Sequence, residues 1–344
     1  MYSYLSKNYN NLSSAGNKAK TDIEDIMSGC NFKNIGLART VSSNKIYGYF
    51  RTFFGVVKSV FSMHRGDIVV LQYPFKKYFE FLCKAARFNN AKVITVIHDL
   101  GSFRRKKLTL EKEIRRLSGS DFIIAHNSSM KKFLEENGCK VKINCLQIFD
   151  YLSSSGINGK KTVQRPFKVV YAGTLNYKKN RFVYNVGNYI KSYILVLYGR
   201  GLEKEHFNFT SKIDFRGFIA SDKMISENDG DFGLVWDGNS SDTCGGDYGI
   251  YLKYNNPHKA SFYLRSGMPL IVWSQSALAE FVIDNKIGFC IDKITDIDDI
   301  LEKMTDEEYN VMKVNACRMS VLLNSGHYIK QAINEGIDYL TTGN

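Results

Sequence analysis

The chain has 344 residues, is 44% apolar and 24% charged, and holds seven cysteines and only four prolines. Those proportions exclude a disordered chain and a disulfide scaffold, and the length suits about two domains. The net charge of +13 is unevenly spread: residues 1–166 carry 28 Lys and Arg against 12 Asp and Glu (+16), and residues 167–344 carry 19 against 22 (−3). A basic first half predicts an anionic counterpart, such as a membrane surface, a phosphorylated substrate or nucleic acid.

No uncharged apolar run reaches the 18 residues of a membrane span. The first 30 residues lack a signal-peptide core, which predicts a chain that is not secreted. The cysteines are widely spaced, without a CxxC pair, as expected in a reducing cytoplasm.

Short apolar, β-branched runs recur at 34–39, 67–74, 92–99, 121–127 and 141–149, then at 167–173, 193–199, 212–218, 231–238, 269–273 and 288–292. Runs without polar alternation predict buried parallel strands. Helical stretches separate them, as in KYFEFLCKAARFNN, SSMKKFLEENG and HKASFYLRSG. This alternation predicts an α/β fold with two doubly wound, Rossmann-like domains and a cleft between them. The polar segment 151–166 reads as the linker, and 305–340 has helical spacing. The expected division is a first domain at 1–160, a second at 161–325, and a helix at 326–344 packing back on the first.

Ligands of such sheets bind beyond the carboxyl ends of the strands, and the richest strand end lies within 231–290. Asn255-Asn256-Pro257 reads as a turn, with a helix from His258 to Arg265 that stops at Gly267. Lys259 sits in its first turn, where a cation opposes the helix dipole. The position makes sense if an anion such as a phosphate binds there; a solvated surface lysine is the alternative. Glu280 opens a later helical turn, where its carboxylate could accept ribose hydroxyls or serve only the dipole. No GxGxxG, GxxxxGKS or HExxH motif is present. Lysine helix, strand, then small-residue loop with Glu is a sugar-nucleotide arrangement.

The segments IHDL (97–100), IIAHNSSMKKFL (123–134), IFDYL (148–152), YAGTL (171–175), FGLVWDGNSSDTCGG (232–246), YLKYNNPHKASFYL (251–264) and ALAEFVIDNKIG (277–288) carry a resemblance. The chain resembles the bacterial galactofuranosyltransferases of O-antigen and capsule assembly, which have the GT-B fold. It is more distantly similar to the accessory glucosyltransferase of serine-rich adhesins. The resemblance implies a UDP-sugar donor bound by the nucleotide-sugar domain at 161–325, a glycan or lipid-linked sugar acceptor bound by the acceptor-binding domain at 1–160, and no cofactor. It implies that Lys259 contacts the diphosphate, that Pro257, His258, Ala260 and Ser261 shape that helix end, and that Glu280 holds the ribose. By the same resemblance Phe218 falls on the base-contacting loop, Arg181 near the diphosphate, a role Lys178 or Lys179 could take instead, and Gly16 on a loop close to the donor sugar. Phe262 departs from the pattern: many retaining relatives have a Glu at that place. An inverting transfer is expected if the donor is UDP-galactofuranose.

Inversion needs a base for the acceptor hydroxyl. Asp99, ending a strand of the first domain, is the favoured base, with His98 orienting or donating; a helix cap and a loop histidine are the alternatives. His126 and Asn127 are second candidates. Asp237 follows FGLVW and could bind donor-sugar hydroxyls, and Cys244 reads as a packed residue. Asp229-Gly230-Asp231 precedes its strand and reads as a turn rather than a metal motif; Asp237-Gly238-Asn239 follows a strand and could bind a metal, but Lys259 and the helix end already supply phosphate neutralisation, so no metal is expected.

The aromatic stretch 46–65 with Arg51, Lys58 and Arg65 is either an interfacial membrane helix or a core-facing one. Arg104-Arg105-Lys106-Lys107, with Arg115 and Arg116, could bind a lipid pyrophosphate. Peripheral attachment to the inner membrane face is therefore expected. Two rival readings are a metal-dependent transferase of the other fold and a non-catalytic sugar-nucleotide or nucleic-acid binder. The absence of any nucleic-acid motif argues against a nucleic-acid partner.

Overall fold

The computed structural model describes all residues except 13, 76, 77, 105–107, 159–162 and 344. The chain divides into two compact units: Met1–Asp150 with Gly326–Asn344, and Tyr151–Ser325. Most of the Arg104–Lys107 cation run lies outside the described residues.

The first unit contains β1 (Tyr2–Tyr4), β2 (Asn8–Tyr9), β3 (Lys33–Asn34), β4 (Thr40–Val41), β5 (Ile68–Tyr73), β6 (Lys92–Ile97), β7 (Phe122–Ala125) and β8 (Lys142–Cys145). Six of these form a parallel sheet in the order β3-β1-β5-β6-β7-β8, and β2 pairs with β4. Every residue of β5 is buried, as a parallel strand covered on both faces requires. The sequence reading has no strand before residue 34, yet β1 lies inside the sheet, with Tyr2 opposite Ile68. Three residues alternating Tyr and Ser give too little apolar signal to announce it.

The helix Lys45–Ser62 turns its small residues inward. Gly55, Val56 and Ser59 are buried, whereas Ile46, Tyr49, Phe50, Phe53 and Phe54 are exposed. The core-facing alternative for these aromatics is thus not what is found.

The helix His327–Thr342 packs on β6, β7 and β8 of the first unit. The approach is close: a Cβ added to Gly336 would stand 2.9 Å from the Phe122 ring and 3.0 Å from Ile94. Asp150 caps this helix, accepting from the Tyr328 N–H at 3.2 Å and the Ile329 N–H at 2.7 Å.

The second unit contains β9 (Phe167–Thr174), β10 (Tyr193–Arg200), β11 (Ile213–Gly217), β12 (Phe232–Val235), β13 (Leu270–Trp273) and β14 (Gly288–Ile291). All pair in parallel in the order β11-β10-β9-β12-β13-β14. Numbered within the unit this is 3-2-1-4-5-6, the dinucleotide-fold order, with its topological switch between β9 and β12. Phe167, Phe232 and Tyr309 pack in its core with ring centroids 5.3–5.5 Å apart.

Carboxylates tie the connections down, Asp231 and Asp298 from buried positions. Asp231 accepts the Lys168 N–H at 2.8 Å and the Tyr309 hydroxyl at 3.2 Å. Asp298 accepts the N–H groups of Lys191 and Ser192. Asp229 pairs with Lys168 and Arg216. These bonds assign the Asp229-Gly230-Asp231 segment to the fold.

The boundary falls at Asp150, earlier than residue 160. The reason is Arg265, whose guanidinium donates to the Ser153 and Ser155 carbonyls at 3.1 and 2.7 Å, holding that polar stretch in the second unit. The Tyr151 N–H also donates to the Leu323 carbonyl at 3.1 Å, joining the two ends of this unit.

None of the described helices is long and apolar enough to cross a membrane.

Two stability outcomes follow. A Cβ at Gly233 on β12 would lie 2.2 Å from the Tyr263 ring, so Gly233→Ala should lower stability by about 2–3 kcal/mol. A thermal midpoint unchanged to within a degree or so would refute this. Burial pushes the Asp150 carboxyl from 3.8 up to about 7, against the pull of its two N–H donors. A raised carboxyl favours the folded state below about pH 4, and that contribution is lost as pH rises through about 7. Between pH 4.5 and 7.5 the wild type should lose on the order of 3 kcal/mol relative to Asp150→Asn, read from denaturant midpoints. Parallel pH profiles of the two proteins would refute it.

Candidate active site

Because all strands of the second sheet run in parallel, the segments that follow them emerge along one edge. The loop after β9 and the loop after β12 flank the switch point. Asn180 joins them: its amide donates to the Thr174 carbonyl at 2.7 Å, and its oxygen accepts the Gly238 N–H at 3.4 Å. Glu203 orders the first loop further, accepting from the Asn176 side chain at 2.9 Å and the Tyr177 N–H at 3.1 Å. Glu203, Glu205 and His206 also bring possible metal-ligand atoms within 4.8 Å of one another, in a largely exposed turn.

The helix His258–Arg265 starts beside this point. Pro257 caps it without a side-chain bond, and its first turn holds no acidic residue, so its positive end is uncompensated. Lys259 donates to the Asp237 carboxylate at 3.0 Å and the Trp236 carbonyl at 3.1 Å. It also lies 3.4 Å from the Tyr171 hydroxyl and 4.5 Å above that ring. The Lys259 and Asp237 side chains are only 15% and 14% exposed. Burial, and then the Asp237 charge, raise the Tyr171 hydroxyl far above its ordinary pKa, so it stays protonated.

Tyr263, one turn on, fixes the helix against the sheet by accepting the Ala172 N–H at 2.7 Å. Ala260 and Ser261 are buried, and the Ser261 hydroxyl has no hydrogen-bond partner among the described residues. The His258 ring stacks on Tyr151 at 4.9 Å, and Phe262 packs on the same ring at 5.6 Å. Phe262 is thus part of an aromatic stack with Tyr151 and His258.

The other candidates lie at neighbouring strand ends. Phe218 follows β11, half exposed, with the Arg200 guanidinium 4.0 Å over its ring. Lys178 and Arg181 are exposed in the loop after β9, Arg181 lying 4.7 Å from the Tyr177 ring. Glu280 is exposed in the first turn of the helix Ala279–Asp284, after β13. Cys244 is buried and its thiol pushed up by burial, which makes it a packing residue.

Gly16, His98 and Asp99 belong to the first unit. Gly16 is exposed in the opening turn of the helix Ala15–Gly29. His98 Nε2 donates to Gln72 Oε1 at 2.7 Å, and its ring stacks on Phe149 at 5.3 Å. Gln72 in turn donates to the Lys20 carbonyl at 3.1 Å, which fixes its amide orientation and hence the histidine tautomer. Asp99 is half-buried just beyond β6. His126 differs: it is 2% exposed, and burial pushes its pKa down to about 3. Its ring meets Phe149 edge-on at 4.8 Å, so this second base candidate sits in the core of the unit. Asn127 is likewise occupied, capping the helix Ser128–Glu136 through the Met130 N–H.

Sequence reasoning overlooked Tyr171, Asn180, Arg200 and the Trp236 carbonyl. Arg200 ends β10 and Asn180 lies in the loop after β9, whereas Tyr171 is inside β9; nothing in the local sequence separates any of them from a packing residue.

Residues 2–148 match the model of the N-terminal domain of glucosyltransferase 3-like proteins, and residues 169–336 match that of the C-terminal domain. Beta-1,6-galactofuranosyltransferase WbbI of Escherichia coli (strain K12) is 31% identical over 340 residues, covering 95% of this chain and 96% of that protein. Glucosyltransferase 3 of Streptococcus gordonii is 24% identical over 317 residues, covering 88% and 91%. Among solved structures, Anabaena HepE in complex with UDP superposes with a TM-score of 0.57 at 12% identity, covering 99% of this chain and 100% of that one. The two doubly wound units are those of the GT-B fold, and the chain belongs to the glucosyltransferase 3-like family of glycosyltransferases.

Proposed function

We propose that the chain transfers galactofuranose from UDP-galactofuranose to a sugar acceptor, lipid-linked, in surface polysaccharide assembly, with inversion and without a metal. The observation that carries this reading is Lys259, held at an uncapped helix end beside the switch point of a dinucleotide-type sheet. An ammonium and a positive helix end neutralise a leaving diphosphate without an ion. The choice of sugar is supported by the likeness to a galactofuranosyltransferase. UDP as carrier is supported by the related fold seen with UDP. Glucosyltransferase 3 favours a second reading, a UDP-glucose or UDP-galactose donor and a glycoprotein or glycan acceptor. We take the site of action to be the cytoplasm, at the inner membrane face.

Asp99 takes the proton of the acceptor hydroxyl as its oxygen attacks the anomeric carbon. The bond from that carbon to the UDP oxygen breaks with its electron pair, and the charge passes to the diphosphate beside Lys259. His98, fixed by Gln72 and Phe149, positions the base. Asp237 holds Lys259 before the donor arrives and then accepts donor-sugar hydroxyls. Pro257, His258, Ala260 and Ser261 form the diphosphate end, with Arg181 or Lys178 beside it. Glu280 takes the ribose, Phe218 the base, and Gly16 approaches the sugar.

Calorimetric titration with UDP should show binding that EDTA leaves unchanged and that Lys259→Ala weakens about 10- to 100-fold, with thermal unfolding as the fold control. No UDP binding by the folded wild type would overturn the donor assignment, and activity lost to EDTA and restored by manganese would overturn the metal-free reading. Asp99→Asn should lower turnover about 10²- to 10⁴-fold with UDP affinity unchanged. Turnover within threefold of wild type would remove Asp99 as the base.

A further inference from the structure

The aromatic side of the helix Lys45–Ser62 is left uncovered by the rest of its unit. Ile46 is 72% exposed, Phe54 56% and Phe61 81%. The rings form a connected surface: Tyr49 stacks near Phe53 at 6.5 Å, Phe50 near Phe54 at 6.4 Å, and Phe53 meets Phe54 edge-on at 5.6 Å. The opposite side is committed to the fold. Gly55 leaves room for the Leu37 backbone, where an added Cβ would stand 3.4 Å away, and Ser59 is wholly buried. This inverts the usual amphipathic arrangement, in which apolar side chains face the core.

A second helix, Phe79–Phe88, packs against the first, and Asn89 at its end donates to the Val60 carbonyl at 3.4 Å. It too carries rings outward. Phe81 and Phe88 stand seven residues apart, two turns along one face, and Phe88 is 87% exposed. Lys84 and Arg87 share that outward arc and, with Arg115, Arg116 and Glu80, border a cavity of about 490 Å³, where Glu80 pairs with Arg116 at 2.6 Å and leaves the other three cations in excess.

Charge identifies the occupant. From residue 26 to residue 66 the chain has no Asp or Glu but carries Lys33, Arg39, Lys45, Arg51, Lys58 and Arg65. Arg51 and Lys58 flank the aromatic face, donating to the Ala38 and Gly36 carbonyls at 3.2 and 2.9 Å, so positive charge is held at its rim. Against a second copy of this face, like charges would meet. Against an anionic bilayer, rings enter the headgroup boundary while cations stay among the phosphates.

We propose that the helices Lys45–Ser62 and Phe79–Phe88 form a docking face for an anionic phospholipid bilayer, with Ile46, Phe50, Phe54, Phe61 and Phe88 inserted at the headgroup boundary. The proposal extends the membrane setting suggested for the acceptor but depends on no residue of the donor site. The full chain should co-sediment with vesicles of phosphatidylethanolamine and phosphatidylglycerol and not with phosphatidylcholine vesicles. Most of the binding should be lost at 0.5 M salt. The triple variant Ile46→Ser/Phe50→Ser/Phe54→Ser should bind at least tenfold more weakly with an unchanged melting temperature, since these side chains are exposed. Should that variant fail to fold, Lys84→Glu/Arg87→Glu serves as the second probe, with the same expected loss. No sedimentation with anionic vesicles, equal binding by the variants, or a wild-type dimer that the triple variant abolishes would each overturn the proposal. UDP titration of the same samples is read separately, so failure of the docking face and failure of the donor reading are told apart.

Discussion

Parallel strands all finish at the same edge of their sheet, and in the second unit that constraint gathers everything the donor site needs. Tyr171, Asp237 and Lys259 are far apart in the chain. They meet because β9 and β12 are neighbours and the helix Lys259 begins leads back to β13, next in the sheet. A parallel ladder also requires both faces to be covered, so each strand end must pass into a loop that turns back over the sheet. The positions best placed to meet a ligand are thus the same positions that must be held by something other than the ladder.

Side-chain carboxylates and amides, most of them buried, do that holding. Glu203 and Asn180 accept backbone N–H groups from the loops after β9 and β12, and Glu113 does the same in the first unit for Gly101 and Ser102, just after the proposed base, whereas Asp231 and Asp298 hold the starts of β9 and β10 at the opposite edge. Removing an acceptor would strand a donor in a dry setting, which is costlier than never having made the bond. The loops are therefore firm enough to hold side chains in position, while Lys178, Arg181, Phe218 and Glu280 remain exposed at the same edge.

Much of this was legible from the residues. Buried parallel strands are uninterrupted apolar runs, so every strand of the two six-stranded sheets except β1 begins within one residue of a predicted run, while β3, β8 and β12 end three to five residues sooner than their runs. Pro257 and Gly267 bracketed the lysine helix, and a cation in a first turn marked Lys259 as a position needing a partner. What stayed hidden has physical reasons. β1 is three residues long and takes its stability from its neighbours. The Lys259–Asp237 pair is a product of strand order, which no local pattern encodes. Ser153 and Ser155 belong to the second unit through carbonyl bonds to a buried arginine, which composition cannot signal. The helix at 45–62 has helical spacing on both of its faces, so periodicity alone left open which side the core would take, and Gly55 and Ser59 decided it by permitting close approach.

The return of the last helix to the first unit has a consequence for biosynthesis. The second unit starts at Tyr151 and ends at Ser325, and its ends are bonded to each other through Tyr151 and Leu323. It is an insertion within the first unit's chain, and it is complete before the ribosome has delivered the helix that covers β6, β7 and β8. The unit that begins first is therefore the one that finishes last. Until the final turn emerges, Phe122 and Ile94 lack the Gly336 backbone against which they pack, and Asp150 has no helix to cap. A nascent or truncated chain ending before residue 326 would carry a finished second unit beside an open apolar sheet, the form of this protein most exposed to aggregation and to the cell's quality control.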